Sequence, residues 1–128
     1  MEQKAKKWFL ACMSVLLGSL FLMVLVFWIF DPYFHYHKPF PFVSYRLYDE
    51  RYINDGISRH FDYDAIITGT SMAQNFKTSE ADVLFGVQSV KETFSGAGYS
   101  ELSENLDRAL SRNPDLKTVI WTMDANAI

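Results

Sequence analysis

The sequence predicts an α/β protein in which one N-terminal transmembrane helix precedes a partial, three-stranded parallel sheet with flanking helices. The first observation is an uncharged apolar run of 23 residues from Trp8 to Phe30. The second is a series of three short runs bounded by turn residues: the first is largely apolar, as is typical of a buried strand, the second is apolar at its ends, and the third has an apolar centre. The third is that helical patterns separate these runs. Strands that alternate with helical crossovers form a parallel sheet with right-handed connections.

The N-terminal run is long enough to cross a membrane. At about 1.5 Å per residue it covers the roughly 30 Å hydrocarbon core as a single helix. A cleaved signal peptide has a shorter apolar region that ends in small residues, whereas this run ends in Phe27-Trp28-Ile29-Phe30. A lipoprotein signal is also disfavoured, because Cys12 lies near the start of the run. The run is therefore interpreted as an uncleaved signal anchor.

Charge predicts the orientation of this anchor. Three lysines precede the helix, at positions 4, 6 and 7, and Asp31 follows it, so the positive-inside rule places the N-terminus in the cytoplasm. The remainder is then extracytoplasmic, at the cell membrane. It carries nine Lys/Arg and fourteen Asp/Glu, a formal net charge of −5, which excludes nucleic-acid binding. Cys12 is the only cysteine, which excludes disulfides within the chain.

These patterns divide the chain into four parts. They are a cytoplasmic tail over 1–7, a transmembrane helix over 8–30, an aromatic-rich juxtamembrane collar over 31–62 and a partial α/β domain over 63–128. Prolines deny a regular helix to residues 31–48, which are predicted to be extended. Asn54-Asp55-Gly56 predicts a turn, and Ile57 to Phe61 predicts a short helical turn.

Two groups of side chains in the collar have alternative interpretations. His35 and His37 alternate with aromatic residues and could form a metal pair, but no third ligand follows at ligand spacing, so interfacial packing is preferred. Arg46, Arg51 and Arg59 could contact an anionic polymer or lipid head groups. Pairing with nearby acidic residues is the preferred interpretation. These acids are Asp49, Glu50, Asp55 and Asp62.

The first predicted strand, Ala65 to Thr68, leads into a turn that contains a serine. Gly69 permits a sharp turn, and Ser71 falls where a helical segment ending at Phe76 begins. A serine at that point can present a nucleophilic hydroxyl beside unpaired N–H groups, or it can simply cap the helix. On the local sequence alone, the cap is the favoured interpretation.

Two further helices and two further strands follow. Ser79 is predicted to cap a helix that stops at Gly86, and the second strand is predicted over Val87 to Val90. Ser100 is predicted to cap an amphipathic helix, after which the third strand runs from Leu116 to Met123.

The turns after the three strands are expected to meet at one edge of the sheet, because parallel strands end together. This convergence favours a functional role for Ser71. The polar and glycine residues of these turns are Gly69, Ser71, Gly96, Gly98, Asp124 and Asn126.

The stretch from Asp64 to Asp124 resembles the N-terminal half of an SGNH (GDSL-like) hydrolase domain, which has a flavodoxin-like α/β fold. Gly69-Thr70-Ser71-Met72 is similar to the first family block, whose serine is the nucleophile. Gly98-Tyr99-Ser100 is similar to the second block, whose glycine N–H helps to form the oxyanion hole. Trp121-Thr122-Met123-Asp124 lies where the third block, Gly-x-Asn-Asp, is expected, with Trp121 in place of the glycine and Met123 in place of the oxyanion asparagine.

The resemblance implies a catalytic Ser71, an oxyanion region around Gly96, Gly98, Asp124 and Asn126, and no metal or cofactor. It is strongest with membrane-anchored bacterial proteins that add or remove acyl groups on surface polysaccharides or teichoic acids. The family's fourth element, Asp-x-x-His, has no counterpart here. His35, His37 and His60 all precede the nucleophile strand. The resemblance therefore implies a truncated sheet, with an open edge for self-association or a partner chain.

Three functional hypotheses follow. The first is a membrane-anchored extracytoplasmic serine esterase or acyltransferase fragment that is inactive as written, because a serine without a base is a poor nucleophile. The second is a non-catalytic, membrane-anchored binding or scaffold protein. The third is a partial product without a stable extracytoplasmic domain.

Overall fold

The computed structural model describes residues 2–43 and 50–124. The chain divides into two compact units, residues 1–32 and 33–128. The first unit contains helix α1 (Glu2–Phe30). The elements of the second unit are α2 (Glu50–His60), β1 (Ala65–Gly69), a 3-10 helix (Ser71–Asn75), α3 (Thr78–Phe85), β2 (Ser89–Thr93), α4 (Tyr99–Arg112) and β3 (Thr118–Thr122).

Helix α1 contains the whole predicted apolar run and extends it at the N-terminus. Of the helices in the described residues, it alone is long and apolar enough to cross a membrane, and none of its residues is buried. Its two serines satisfy their hydroxyls within the helix, since Ser14 Oγ donates to Leu10 O at 2.8 Å and Ser19 Oγ to Leu16 O at 2.9 Å. These properties fit a membrane anchor or a signal sequence.

The three strands form a parallel sheet in the order β2-β1-β3, which confirms the predicted sheet. Ala65 pairs with Ser89 on one side and with Thr118 on the other, and the register continues to Gly69, opposite Thr93 and Thr122. Strand β1 is therefore central, and all five of its residues are buried. An apolar strand covered on both faces is the expected centre of a parallel sheet.

Strand β2 is displaced from its predicted position. The prediction began it at Val87, but the amide of Val87 donates to Asp82 O at 3.3 Å and so belongs to the end of α3. Gly86, with φ 66°, ends that helix as predicted. The strand instead continues through Lys91 and Glu92. These two charged residues explain why the prediction missed this part of the strand, because a buried strand is expected to be apolar.

Two predicted helix caps are wrong. Helix α3 begins at Thr78 and α4 at Tyr99, so the residues at the cap positions are Lys77 and Gly98, and neither makes a side-chain cap hydrogen bond. Ser79 and Ser100 lie inside their helices.

The chain crosses β1 as it passes from β2 to β3. Because crossovers between parallel strands are right-handed, α3 and α4 lie on opposite faces of the sheet. Helices α2 and α4 cover the same face. There Ile53 and Ile57 of α2 pack with Ile66 and Ala109 in the main apolar core.

Helix α2 replaces the turn predicted at Asn54-Asp55-Gly56. Gly56 is buried in the middle of this helix, and a Cβ there would overlap the carbonyl oxygen of Tyr33 and stand 2.6 Å from that of Phe34. The glycine thus permits close packing of a helix on a neighbouring backbone, not a turn. Phe34 itself is buried in the same core, so part of the predicted collar packs with the sheet. The collar residues Tyr45, Arg46 and Tyr48 lie outside the described residues.

Substitution of Gly56 by alanine is expected to destabilise the second unit by about 1–3 kcal/mol, the usual cost of overpacking. Helix propensity alone would favour alanine, so the sign of the effect is diagnostic. Pulse proteolysis of the detergent-solubilised chain across a urea gradient measures the change. Gly98→Ala is the matched control, because nothing lies within 4 Å of its added Cβ. Equal midpoints for Gly56→Ala and the unsubstituted chain would contradict the close packing.

Candidate active site at the carboxyl edge of the sheet

The turns that carry the predicted site residues all begin at the carboxyl edge of the sheet, next to one another. Gly69, Thr93 and Thr122 are register partners at the carboxyl ends of the three strands. The strand order reverses at β1, since the chain goes first to β2 on one side and then to β3 on the other. Open α/β sheets bind ligands outside the carboxyl ends of the strands, where the order reverses. The turns after β1 and β3 adjoin at this point.

Gly69 is a steric requirement of the first turn. Its φ is +150°, and a Cβ at this position would overlap Thr122 Oγ1 and stand 3.0 Å from the Cβ of Ala73. The chain then enters the 3-10 helix, whose first residue, Ser71, is exposed, while Ala73 is buried beneath it. The sequence therefore folds so that the serine hydroxyl is presented at the edge of the sheet.

A hydrogen bond joins the first and third turns. Thr70 Oγ1 donates to Asp124 Oδ2, so the acid that follows β3 contacts the residue before the serine. Thr70 is buried and Asp124 is half-buried. Met123, at the position where the resemblance to SGNH hydrolases predicts an asparagine, is 76 % exposed and offers no side-chain N–H donor. Asn126 lies outside the described residues.

The second turn has a buried part, which holds it to the rest of the sheet, and an exposed part. The amide of Phe94 donates to Gly69 O at 3.0 Å, which ties this turn to the first. Phe94 packs with Ala97 and Leu102, and Trp121 of β3 packs against this cluster.

Two glycines form the exposed part of the second turn. Gly96 is in the left-handed region with φ 68°, and Gly98 precedes the first residue of α4. Both are exposed, and an added Cβ would meet nothing within 4 Å. Their backbones are therefore accessible at the same edge as Ser71.

The three histidines of the chain are engaged away from this edge. His60 ends α2, and its Nε2 lies 3.3 Å from His35 O. His37 Nδ1 lies 2.8 Å from Lys38 O. The opposite end of α2, at Glu50, contacts the second turn, so His60 is at the far end of the helix. Within residues 2–43 and 50–124, no group of three or more His, Cys, Asp or Glu side chains is arranged to hold a metal ion.

Glu50 connects the first and second turns, a role that sequence reasoning missed. Its Oε1 accepts hydrogen bonds from Gln74 Nε2 and from Thr93 Oγ1, the latter at 3.2 Å, and its Oε2 accepts one from Ser95 N at 2.9 Å. Lys91 Nζ lies nearby and donates to the carbonyls of Gln74, at 2.8 Å, and Phe76, at 3.1 Å. These partners are far from Glu50 in sequence, so no local motif could have indicated them.

A cleft of about 250 Å³ lies beside this carboxylate. It is lined by Glu50, Ile53, Asn54, Gln74, Lys91 and Thr93.

The two collar arginines within the described residues form ion pairs, but only Arg59 pairs with one of the predicted acids. Arg59 Nη2 lies 2.9 Å from Asp55 Oδ2, whereas Arg51 pairs with Glu101 of α4, with Nε 2.7 Å from Oε1. Arg112 also bonds Asp55, at 2.6 Å. Burial raises the pKa of Asp55, but its arginine partners outweigh this and leave the pKa below the ordinary value. Arg46 lies outside the described residues.

Fold and site together define an α/β protein with a parallel three-stranded sheet, an exposed serine after its central strand and one apolar N-terminal helix. No protein-family model, curated protein or solved structure matches the chain.

Replacement of Glu50 by alanine is expected to free the Ser95 amide and to loosen the second turn. Hydrogen bonds to a charged group contribute about 1.5–3 kcal/mol each, so amide exchange at Ser95 should accelerate at least tenfold. Hydrogen exchange followed by mass spectrometry measures this rate. Glu80→Ala is the control, because Glu80 is exposed and forms an ion pair with Lys77, three residues before it. Unchanged exchange at Ser95 in Glu50→Ala would contradict the connecting role.

Proposed function

We propose that the chain is a membrane-anchored, extracytoplasmic serine esterase or acyltransferase fragment of the SGNH type. One observation carries the proposal: an exposed serine follows the central buried strand at the edge where the strand order reverses. The exposed glycines of the second turn and the carboxylate of Asp124 adjoin the same edge. Cell-surface polysaccharides or teichoic acids are the proposed acyl carriers, as the family resemblance implies.

In the proposed reaction, Ser71 Oγ attacks the acyl carbonyl carbon. The serine proton passes to a base and the carbonyl oxygen becomes an oxyanion; the base then returns the proton to the leaving alcohol as the carbonyl re-forms. The acyl group stays on Ser71 until water or an acceptor hydroxyl takes it. The backbone N–H groups of Ser71 and Gly98 are the proposed oxyanion donors. Asp124 orients the serine turn through Thr70. No histidine in the described residues is held near Ser71, so the base is proposed to come from an Asp-x-x-His element that this sequence lacks.

Activity of the chain as written is expected to be very low, because loss of a triad member costs about 10⁴-fold. The detergent-solubilised chain should hydrolyse p-nitrophenyl acetate no faster than Ser71→Ala. Added imidazole supplies a base from solution and should raise the rate of the unsubstituted chain above that of Ser71→Ala. Ser79→Ala, which removes an exposed serine from α3, should respond like the unsubstituted chain.

The same assay separates the alternatives. An imidazole effect that is equal in all three proteins would contradict acyl transfer at Ser71 and favour a non-catalytic binding or scaffold protein. That second candidate is supported by the cleft beside Glu50, which exists independently of the serine. A Ser71-dependent rate without imidazole would instead show that a base is present.

The proposed topology has the N-terminus in the cytoplasm and the second unit outside. It is supported by the three lysines before α1 and the spanning length of that helix. Protease added to intact cells is expected to digest an epitope fused after Ile128 and to spare one fused before Met1. The reverse pattern would contradict the orientation, and release of the second unit without α1 would identify a cleaved signal sequence.

A further inference from the structure

A carboxyl group is buried in the core of the second unit, beneath α2. Glu92 of β2 is fully buried and faces α2 and α4. Ser58 Oγ of α2 donates to its Oε1 at 2.8 Å, and Asn105 Nδ2 of α4 donates to its Oε2 at 2.7 Å. The carboxyl therefore joins both helices to the sheet. A buried acidic group is costly in its charged form unless it is fully compensated.

Two buried hydroxyls near Glu92 are unused among the described residues. Thr68 is the register neighbour of Glu92 on β1, and its Oγ1 has no hydrogen-bond partner. The hydroxyl of Tyr63 has no partner at hydrogen-bond distance either, although Ser58 is close enough to lower its pKa. Burial, with a smaller contribution from Glu92, raises the pKa of Tyr63 to about 12, so this hydroxyl stays protonated. We call Ser58, Tyr63, Thr68, Glu92 and Asn105 the Glu92 cluster.

Two charged groups have opposite effects on Glu92. Arg112 of α4 favours the ionised form of Glu92 and Asp55 of α2 opposes it, and these two residues form an ion pair at 2.6 Å. Desolvation is the largest influence, and it raises the pKa of Glu92 from 4.5 to about 7. Docked α2 therefore favours a neutral carboxyl.

We propose that α2 is a proton-dependent latch: a neutral Glu92 favours docking of the helix against β2 and α4, and ionisation of Glu92 weakens this docking. Release has a direct effect at the edge of the sheet, because the same helix begins with Glu50. Its carboxylate holds Gln74 of the serine turn and Ser95 of the second turn. In an acidic medium the cleft beside Glu50 therefore keeps its described form, and release of α2 at higher pH removes Glu50, Ile53 and Asn54 from its lining. The latch does not depend on acyl transfer at Ser71.

The direction of the pH effect follows from linkage. The docked state binds its proton more tightly than the released state, whose carboxyl has an ordinary pKa. Docking is therefore most stable below about pH 4.5, and its stability falls as the pH rises to about 7, where Glu92 ionises in the docked state. Above that pH the contribution of Glu92 no longer changes.

Hydrogen exchange of the full chain in detergent tests the latch between pH 4.5 and 8, with each rate corrected for its intrinsic pH dependence. The opening constants of the α2 amides and of Ser95 are expected to rise by at least ~10-fold over this range. Glu92→Gln should abolish the rise, since the neutral amide can keep both hydrogen bonds by rotation of the Ser58 hydroxyl and the Asn105 amide. Glu104→Gln, at the exposed position beside Asn105, is the matched control and should retain the rise.

Equal pH profiles in Glu92→Gln and the unsubstituted chain would overturn the proposal, as would a flat profile in the unsubstituted chain. If Glu92→Gln does not fold, Tyr63→Phe takes its place. Loss of a hydroxyl that can solvate the ionised carboxylate should enlarge the rise, and an unchanged profile in that variant would also overturn the proposal. Failure of the imidazole assay at Ser71 would leave these profiles unaffected.

Discussion

The parallel register of β1 with its two neighbours is the constraint on which the second unit depends. Each of its five residues is buried and paired on both sides. Asp64 fixes the register at the amino end, because its side chain accepts from Gln88 N at 2.7 Å and its carbonyl accepts from Lys117 N at 2.8 Å. A slip of one residue would move every side chain of a strand to the other face. It would also separate the turns that carry Ser71, Gly98 and Asp124.

The elements that sequence predicted well are those whose pattern is local. The apolar run of β1, the amphipathic pattern of α4 and the left-handed Gly86 each depend on neighbours within a few residues. Helix α2 and strand β2 were misjudged for the opposite reason. In the sequence Gly56 indicates a turn, but in the structure its small size permits close contact with the backbone of Tyr33, 23 positions earlier. Glu92 looks like a surface charge, but its partners come from two other helices.

The candidate site also contains features that have a local sequence pattern and features that depend on contacts between distant segments. Gly-Thr-Ser after a strand, and glycines before a helix, indicated which turns to compare, and parallel topology then indicated their common edge. Sequence could not show that Asp124 contacts Thr70 rather than Ser71, since Asp124 lies 54 positions after Thr70. Nor could it show that Glu50 joins two turns, because its neighbours in sequence suggested only a pairing with arginine. Side chains that connect distant segments carry no spacing signal.

The position of α2 in the chain has a consequence for the order in which the second unit folds during synthesis. This helix precedes every strand, yet its hydrogen-bond partners on β2 and in the second turn are made 34 to 45 residues later. Contacts between distant segments form slowly, because loop closure must come first. Helix α2 therefore leaves the ribosome before its partners. Ile53 and Ile57 stay exposed until the partners that cover them have been synthesised. A chain released before α4 is complete would expose this apolar surface to chaperones and proteases.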